Sequence, residues 1–493
     1  MKRNNVLPLM IEALYMKKRA CGLAIAVTLM LTACSGSGDI VGTGIPVDTG
    51  PLPVTFSTGV DASTRTTTGT ISTLDDLKAL PEGFGVFAYF TDSKLWATAR
   101  GTLSGDDSNY PVPDFMYNQP VTWGWLSTVT KEVDGNIVID EDLSVKGWTY
   151  APLKYWPNYS DNDNAVNPRH ISFFAYAPFV EGDAQTGATG LASGITEVTY
   201  GSDRSPHVRY SLGTTGDMVD LLYANCIDAR RNGEGGVVVS SDGVTTDYQR
   251  VPLTFHHALC CVELYVQRIY DEQIYSGNKP DKDHTKLFVN KLVLDTGTDA
   301  SKALSGSGRL NLETGQWDDD AWSRISADGD GHYKLTLDET LFNDTVRGTA
   351  SVSSSDIINY ELEKWERAGF GVSEQMRPLV PLGRSLMFFP QSTLTFVPTL
   401  SYTMVTRDDE LEMNYITDTD AHRYNRIQHQ LTGSPLTLSL QQGKRYRLVV
   451  HVGTEHISFE VAAVEDWDFP LRFRPVLPDF QDAVVDGHVL NEN

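Results

Sequence analysis

Tyr446-Arg447-Leu448-Val449-Val450-His451-Val452-Gly453-Thr454-Glu455-His456-Ile457-Ser458-Phe459-Glu460-Val461-Ala462-Ala463 is the stretch that decides the fold. Tyr446, Leu448, Val450 and Val452 fall on one face of an extended chain. Ile457, Phe459, Val461 and Ala463 fall on one face of a second, with Gly453-Thr454 between them. Side chains on a strand alternate between faces, so this pattern is a β-hairpin. Working outward, the same period recurs. Val54, Phe56 and Val60 alternate with Thr55, Ser57 and Gly59, and Ile171, Phe173, Ala175 and Ala177 alternate with Ser172, Phe174 and Tyr176. Helical spacing is rare. It occurs from Asp356 to Ala368, closed by Gly369, and from Leu74 to Leu80 after Ser72-Thr73. Many short strands separated by Gly, Asp, Asn and Pro turns predict an all-β chain of β-sandwiches with a few short helices in insertions.

The clearest break in the pattern is polar and glycine-containing, from Arg230-Arg231-Asn232-Gly233 to Asp247. It divides the chain into an N-terminal sandwich over 53–230, a linker over 231–250, a C-terminal sandwich over 251–467 and a tail over 468–493.

The first residues carry an export signal. Met16-Lys17-Lys18-Arg19 is a basic start, and Met16 is the better translation start. Ala20 to Leu31 is an apolar run of about a dozen residues, too short for a bilayer that needs roughly 20. Leu31-Thr32-Ala33-Cys34 then reads as a lipobox, with residues 1–33 cleaved and Cys34 diacylated. Two or three acyl chains give stable anchoring in the outer membrane. Residues 34–52, starting Cys34-Ser35-Gly36-Ser37-Gly38, form a flexible tether.

Charge and motifs exclude whole classes of function. The chain carries a net −24, and residues 1–33 hold five basic residues and one acid, so the exported part carries −28. That is the opposite of the basic footprint nucleic-acid binding requires. There is no His-Glu-x-x-His zinc site, phosphate loop, nucleophile elbow or Cys-x-x-Cys pair. No cofactor, metal or catalytic residue is expected, and the reading is not an enzyme. His256 and His257 would point to opposite faces of a strand, poor geometry for one metal. Asp161/Asp163, Asp318-Asp319-Asp320 and Asp328/Asp330 lack a complete calcium loop and read as solvated turns. Trp123, Trp125, Trp148, Tyr155 and Trp156 read as core plugs or turn anchors, with sugar stacking as the alternative. Beyond Cys21 and Cys34 the thiols are Cys226, Cys260 and Cys261. An odd count reads as buried free thiols, with a bridge from Cys226 to Cys260 or Cys261 as the alternative.

Several segments, in order, resemble the fimbrillin family of Bacteroidales-type anaerobes, the subunits of protease-assembled type V pili. They include Phe115-Met116-Tyr117-Asn118, Pro152-Leu153-Lys154-Tyr155-Trp156-Pro157 and Ile171 to Pro178. Asp220-Leu221-Leu222-Tyr223-Ala224, Leu253-Thr254-Phe255-His256-His257-Ala258-Leu259, Gly315-Gln316-Trp317, Phe389-Pro390-Gln391 and Val464-Glu465-Asp466-Trp467 complete the series. The resemblance implies two tandem transthyretin-like β-sandwich domains, made as a lipoprotein. It further implies that an Arg-specific surface protease removes the first strand together with the lipid, and that the next subunit fills the emptied groove by donor-strand exchange. Here the removable strand would be 53–60, with Val54, Phe56 and Val60 facing the core, and the cut would fall at Arg65-Thr66. The alternative for Arg65 is a solvated loop residue. Leu471, Phe473 and Leu477 are the candidate donor segment, interrupted by Pro470, Pro475 and Pro478. The final hairpin is the other donor candidate, unless it belongs to the C-terminal sandwich. The implied partners are other fimbrial subunits, the protease, the outer membrane, and a host or bacterial receptor or glycan. The other functional reading is a pilus-tip adhesin or glycan-binding surface lipoprotein that does not polymerise.

Overall fold

A computed structural model describes residues 52–467 except 61–70, 72, 102–111, 134–135, 158–168, 184–186, 189–193, 201–204, 214–217, 232–236, 242–243, 270–283, 319–322, 350–363, 366, 382–383, 408–423 and 454–455. The first half forms β1 (Phe56–Val60), β2 (Phe84–Asp92), β3 (Met116–Ser127), β4 (Thr130–Val133), β5 (Asn136–Ile139), β6 (Val145–Thr149), β7 (His170–Ala177) and β8 (Gly182–Asp183). It continues with β9 (Gly187–Ala188), β10 (Ile195–Tyr200), β11 (Pro206–Ser211), β12 (Leu222–Arg231), β13 (Val237–Ser241), β14 (Val244–Tyr248) and β15 (Val251–His257). The second half forms β16 (Cys260–Arg268), β17 (Thr285–Asp295), β18 (Ser305–Asn311), β19 (Ser323–Arg324), β20 (Lys334–Asp338) and β21 (Arg377–Pro378). Then come β22 (Leu386–Phe388), β23 (Gln391–Arg407), β24 (Tyr424–Thr432), β25 (Leu436–Leu440), β26 (Lys444–Val452) and β27 (Ile457–Asp466). The chain is all-β, as its alternation demands.

Helices are short. Helix α1 (Leu74–Ala79) starts where Thr73 caps it, its hydroxyl accepting from the Asp76 amide at 3.0 Å. Helix α2 (Trp96–Arg100) buries Trp96 against Tyr89 and Phe174. Most of the helix expected over Asp356 to Ala368 lies outside the described residues. Lys364 and Trp365 are helical, and Gly369 has φ +82°.

The main N-terminal sheet runs β1-β15-β12-β7-β2-β3-β6. Its two ends meet: the Trp148 indole N–H donates to Thr58 Oγ1 at 2.7 Å, and the Tyr150 hydroxyl donates to the Val54 carbonyl at 2.8 Å. The curled sheet encloses one core of Phe56, Phe84, Val121, Phe173, Leu253 and Phe255. On β7, Ile171, Phe173, Ala175 and Ala177 face that core, while Phe174 and Tyr176 face a second one. Both faces are buried, which is why β7 is apolar nearly throughout.

The second core is shared across the chain. It joins Phe174 and Tyr176 to Val208 and Tyr210, and continues into Leu264, Leu292, Leu400 and Leu448 of the C-terminal sandwich. That sandwich stacks a β21-β16-β26-β27 sheet on a β20-β17-β23-β24 sheet. Tyr446, Leu448, Val450 and Val452 face this core as the alternation predicts, and β26 lies between β16 and β27. The final hairpin is therefore part of the sandwich.

Two sequence readings are corrected. The polar segment over 231–250 is not a linker: it carries β13 and β14, a hairpin that pairs back onto β12 and buries Val237 and Val238. Strand β15, taken as the start of the C-terminal domain, lies between β1 and β12 in the N-terminal sheet. A four-stranded sheet, β10-β11-β18-β19, also pairs strands from the two halves. Hydrogen-bond partners, not the polarity of the intervening chain, decide where a strand belongs.

Candidate functional site: the first strand and its groove

Among the described residues β1 is an edge strand, paired in parallel with β15. Phe56 to Val60 run alongside Val251 to Phe255 in register, Phe56 opposite Val251 and Val60 opposite Phe255. Just before it, the chain is pinned on the other side. Val54 N–H donates to the Lys154 carbonyl at 2.8 Å, Trp156 N–H donates to the Leu52 carbonyl at 3.0 Å, and Pro53 bridges Tyr155. This first segment thus closes the seam between β15 and the chain that follows β6.

Its side chains fill a built pocket. Val54 is 0% exposed and Phe56 is 1% exposed. The Phe56 ring lies 5.7 Å from Phe173, 5.8 Å from Tyr150 and 6.2 Å from Phe84, edge-on or tilted to each. Aromatic pairs in this geometry add about 0.5–1.5 kcal/mol beyond their buried area. Burying Val54 and Phe56 contributes about 1.5–3 kcal/mol each. Burial also pushes the Tyr150 hydroxyl up to about 12, so it stays protonated and donates to Val54.

Of the residues singled out in the sequence, Val54 and Phe56 are core residues, and Val60 ends β1 opposite Phe255. Cys34, Arg65, Thr66, Leu471, Phe473 and Leu477 lie outside the described residues. The structure also brings together residues the sequence did not link. Asp220, fully buried, pairs with His257 Nδ1 at 2.9 Å and accepts from the Ile71 amide at 3.2 Å. The His257 ring stacks on Trp467, with centroids 3.7 Å apart and planes 7° apart. The chain just after the candidate cleavage loop and the chain just before the tail thus converge on one buried pair. His256, on the opposite face, sits beside Tyr223.

The other candidates are placed as follows. Cys226, Cys260 and Cys261 are buried free thiols; burial pushes Cys226 up to about 12 and Cys261 up to about 11. Trp148 and Trp156 are buried in the N-terminal core, Tyr155 is 46% exposed, and Lys146 lies 4.1 Å over the Trp125 ring. Asp328 organises a turn, accepting from the Asp330 and His332 amides and pairing with Lys334. Among the described residues no group of three or more His, Cys, Asp or Glu is placed to hold a metal, and no helix is long and apolar enough to cross a membrane.

No protein-family model matches the chain. It is similar to the fimbrium subunit Fim1C of Phocaeicola vulgatus, with 26% identity over 277 residues, 55% of each chain. It spans about half the length of that relative. Among solved structures it overlaps a fimbrilin from Porphyromonas gingivalis at 8% identity and TM-score 0.29, covering 86% of this chain and 93% of that one. A "putative cell adhesion protein" from Bacteroides uniformis overlaps at 11% identity and TM-score 0.33, covering 86% and 100%.

Proposed function

We propose that the chain is a structural subunit of a cell-surface fimbria, exported as an outer-membrane lipoprotein through Cys34 and polymerised by strand exchange. One observation carries the reading: the first strand is a plug. It lies at a sheet edge, precedes the rest of the domain in sequence, buries Val54 and places Phe56 among the Phe84, Tyr150 and Phe173 rings. Cutting after Arg65 would release it with the lipid. The vacated seam would then leave β15 backbone groups and the Phe84, Tyr150 and Phe173 rings open, a template for another chain. Leu471, Phe473 and Leu477 of a neighbouring subunit supply apolar side chains at the spacing such a groove accepts.

The test is direct. The purified precursor is incubated with an Arg-specific protease, its new N-terminus is sequenced, and its oligomers are resolved on gels. A start at Thr66 and a ladder of oligomers are expected, both abolished by Arg65→Ala. A chain that stays intact and monomeric overturns the reading. The second reading, a tip adhesin or glycan-binding lipoprotein, draws on exposed Tyr155 and the Trp125–Lys146 pair. Binding on a glycan array without polymerisation would select it.

A further inference from the structure

Asp220 is a fully buried carboxylate, and among the described residues no lysine or arginine pairs with it. Its Oδ1 accepts no hydrogen bond from those residues. Oδ2 takes both partners, the Ile71 amide at 3.2 Å and His257 Nδ1 at 2.9 Å. A buried charge is costly unless donors surround it, so the loss of either partner is felt by the other.

The two partners come from different parts of the chain. Ile71 is buried in the core that holds Val54 and Phe56, and it stands six residues after Arg65 in the sequence. His257 follows the β1 ladder closely, since Val60 at the end of β1 is opposite Phe255. The His257 ring lies flat on Trp467, the last described residue before the tail. Trp467 is 1% exposed, yet its indole N–H has no partner among the described residues. Its backbone N–H donates to the Gly443 carbonyl at 2.7 Å, and the Gly443 N–H donates to the Leu259 carbonyl at 3.0 Å. The ring stack and this backbone bond fix the end of β27.

We propose that the Asp220–His257 pair is a latch that couples the first strand to the end of β27. With the strand seated, Ile71 is packed in the shared core and its amide holds Asp220. Asp220 fixes the His257 ring, and the ring holds Trp467. Cutting after Arg65 and removing the strand takes Phe56 out of that core and leaves Ile71 near a chain end, where backbone frays. Asp220 then loses one of its two partners, the His257 ring loses its fixed position, and Trp467 is released. The use of the latch rests on the strand-exchange reading: a subunit frees its tail only after its own groove has opened. The coupling itself does not, because it operates within one uncut chain. Coupling between two sites is reciprocal, so loosening Trp467 also loosens the first strand.

Amide hydrogen exchange in the uncut full-length monomer tests it, read at the Trp467 amide and across β1, with β17 as the measure of global opening. Phe56→Ala should speed Trp467 exchange about tenfold relative to β17, and Trp467→Phe should in turn speed exchange in β1. Asp220→Asn breaks the link. In that background Phe56→Ala should change Trp467 exchange by less than about twofold relative to β17. Should Asp220→Asn fail to fold, His257→Gln supplies the uncoupled background, keeping a donor for Asp220 and removing the stack. Trp467 exchange that merely follows β17 in Phe56→Ala overturns the proposal. So does an acceleration that persists in the uncoupled background, which assigns the coupling to the core rather than to Asp220. Polymerisation after Arg-specific cleavage is scored separately. Ladders with an uncoupled Trp467 sink the latch alone, and a coupled Trp467 without ladders sinks strand exchange alone.

Discussion

At the residue scale, the sequence showed which side chains of the first strand face inward but not what they meet. Val54 and Phe56 follow from alternation. Their partners Tyr150, Phe173 and Phe84 come from three other segments, and no local pattern names them. The same holds for Asp220 beneath His257 and for Thr58 beneath Trp148. Phe56→Ala should cost about 3–5 kcal/mol in urea unfolding, whereas Tyr155→Ala, on an exposed neighbour, should stay within about 0.5 kcal/mol. Equal, small losses would show that the pocket does not hold the strand. A second residue sets a pH dependence. His170 is buried in β7, and burial holds its pKa below the ordinary 6.5 against the opposing pull of Asp228 and the Asp92 carbonyl. Arg230 lowers it further. The unfolded chain therefore takes up this proton first as pH falls. The stabilisation is complete above about 6.5 and is lost as pH drops through and below that value. His170→Gln should flatten the fall in stability between about pH 7.5 and pH 5, and parallel curves for the two proteins would refute the assignment.

At the element scale, strand existence was legible and strand membership was not. β7, β26 and β27 lie where the alternation puts them, and Thr73 starts a helix as its residue type requires. β13 and β14 were missed because Ser, Thr and Asp share the run with Val237, Val238 and Val239, so polarity masked the period. β15 was placed in the wrong domain because a new apolar run looks like a new beginning, although its ladder partners are β1 and β12. The first segment is the element whose removal has the clearest readout. Chain trimmed through Arg65 should bind a synthetic peptide of residues 52–60, and the same peptide with Phe56→Ala should bind at least about tenfold more weakly, the loss that 1.4 kcal/mol produces. A peptide of residues 468–480 should compete if the tail enters the same groove. Trimmed chain that binds neither peptide has lost the groove with the strand.

At the scale of the whole molecule, the two sandwiches are interlocked in a way no linker search could find. The described residues between 52 and 467 form one compact unit. β11 pairs with β18 from Ser211 opposite Ser307 to His207 opposite Asn311, so a ladder of hydrogen bonds crosses between the halves. Trp317, from the second half, donates its indole N–H to the Ala258 carbonyl at 2.8 Å and packs edge-on against Phe389, which also meets Tyr210 from the first half. Independent domains joined by a tether would melt separately, each with its own core. A core that runs from Phe174 through Tyr210 to Leu448 couples them instead. The expectation is one calorimetric transition for the chain, with the calorimetric enthalpy matching the van't Hoff value. A fragment ending at Ala258 lacks β18, so it should expose Val208 and Tyr210, bind a hydrophobic dye and fail to unfold cooperatively. Two resolved transitions, or a fragment that melts as sharply as the intact chain, would show that the shared core is a contact between independent bodies. The distinction bears on assembly. On the proposed strand exchange, a subunit that behaves as one body would pass tension from a strand held in its N-terminal seam to the strand it lends through the core that joins the two halves.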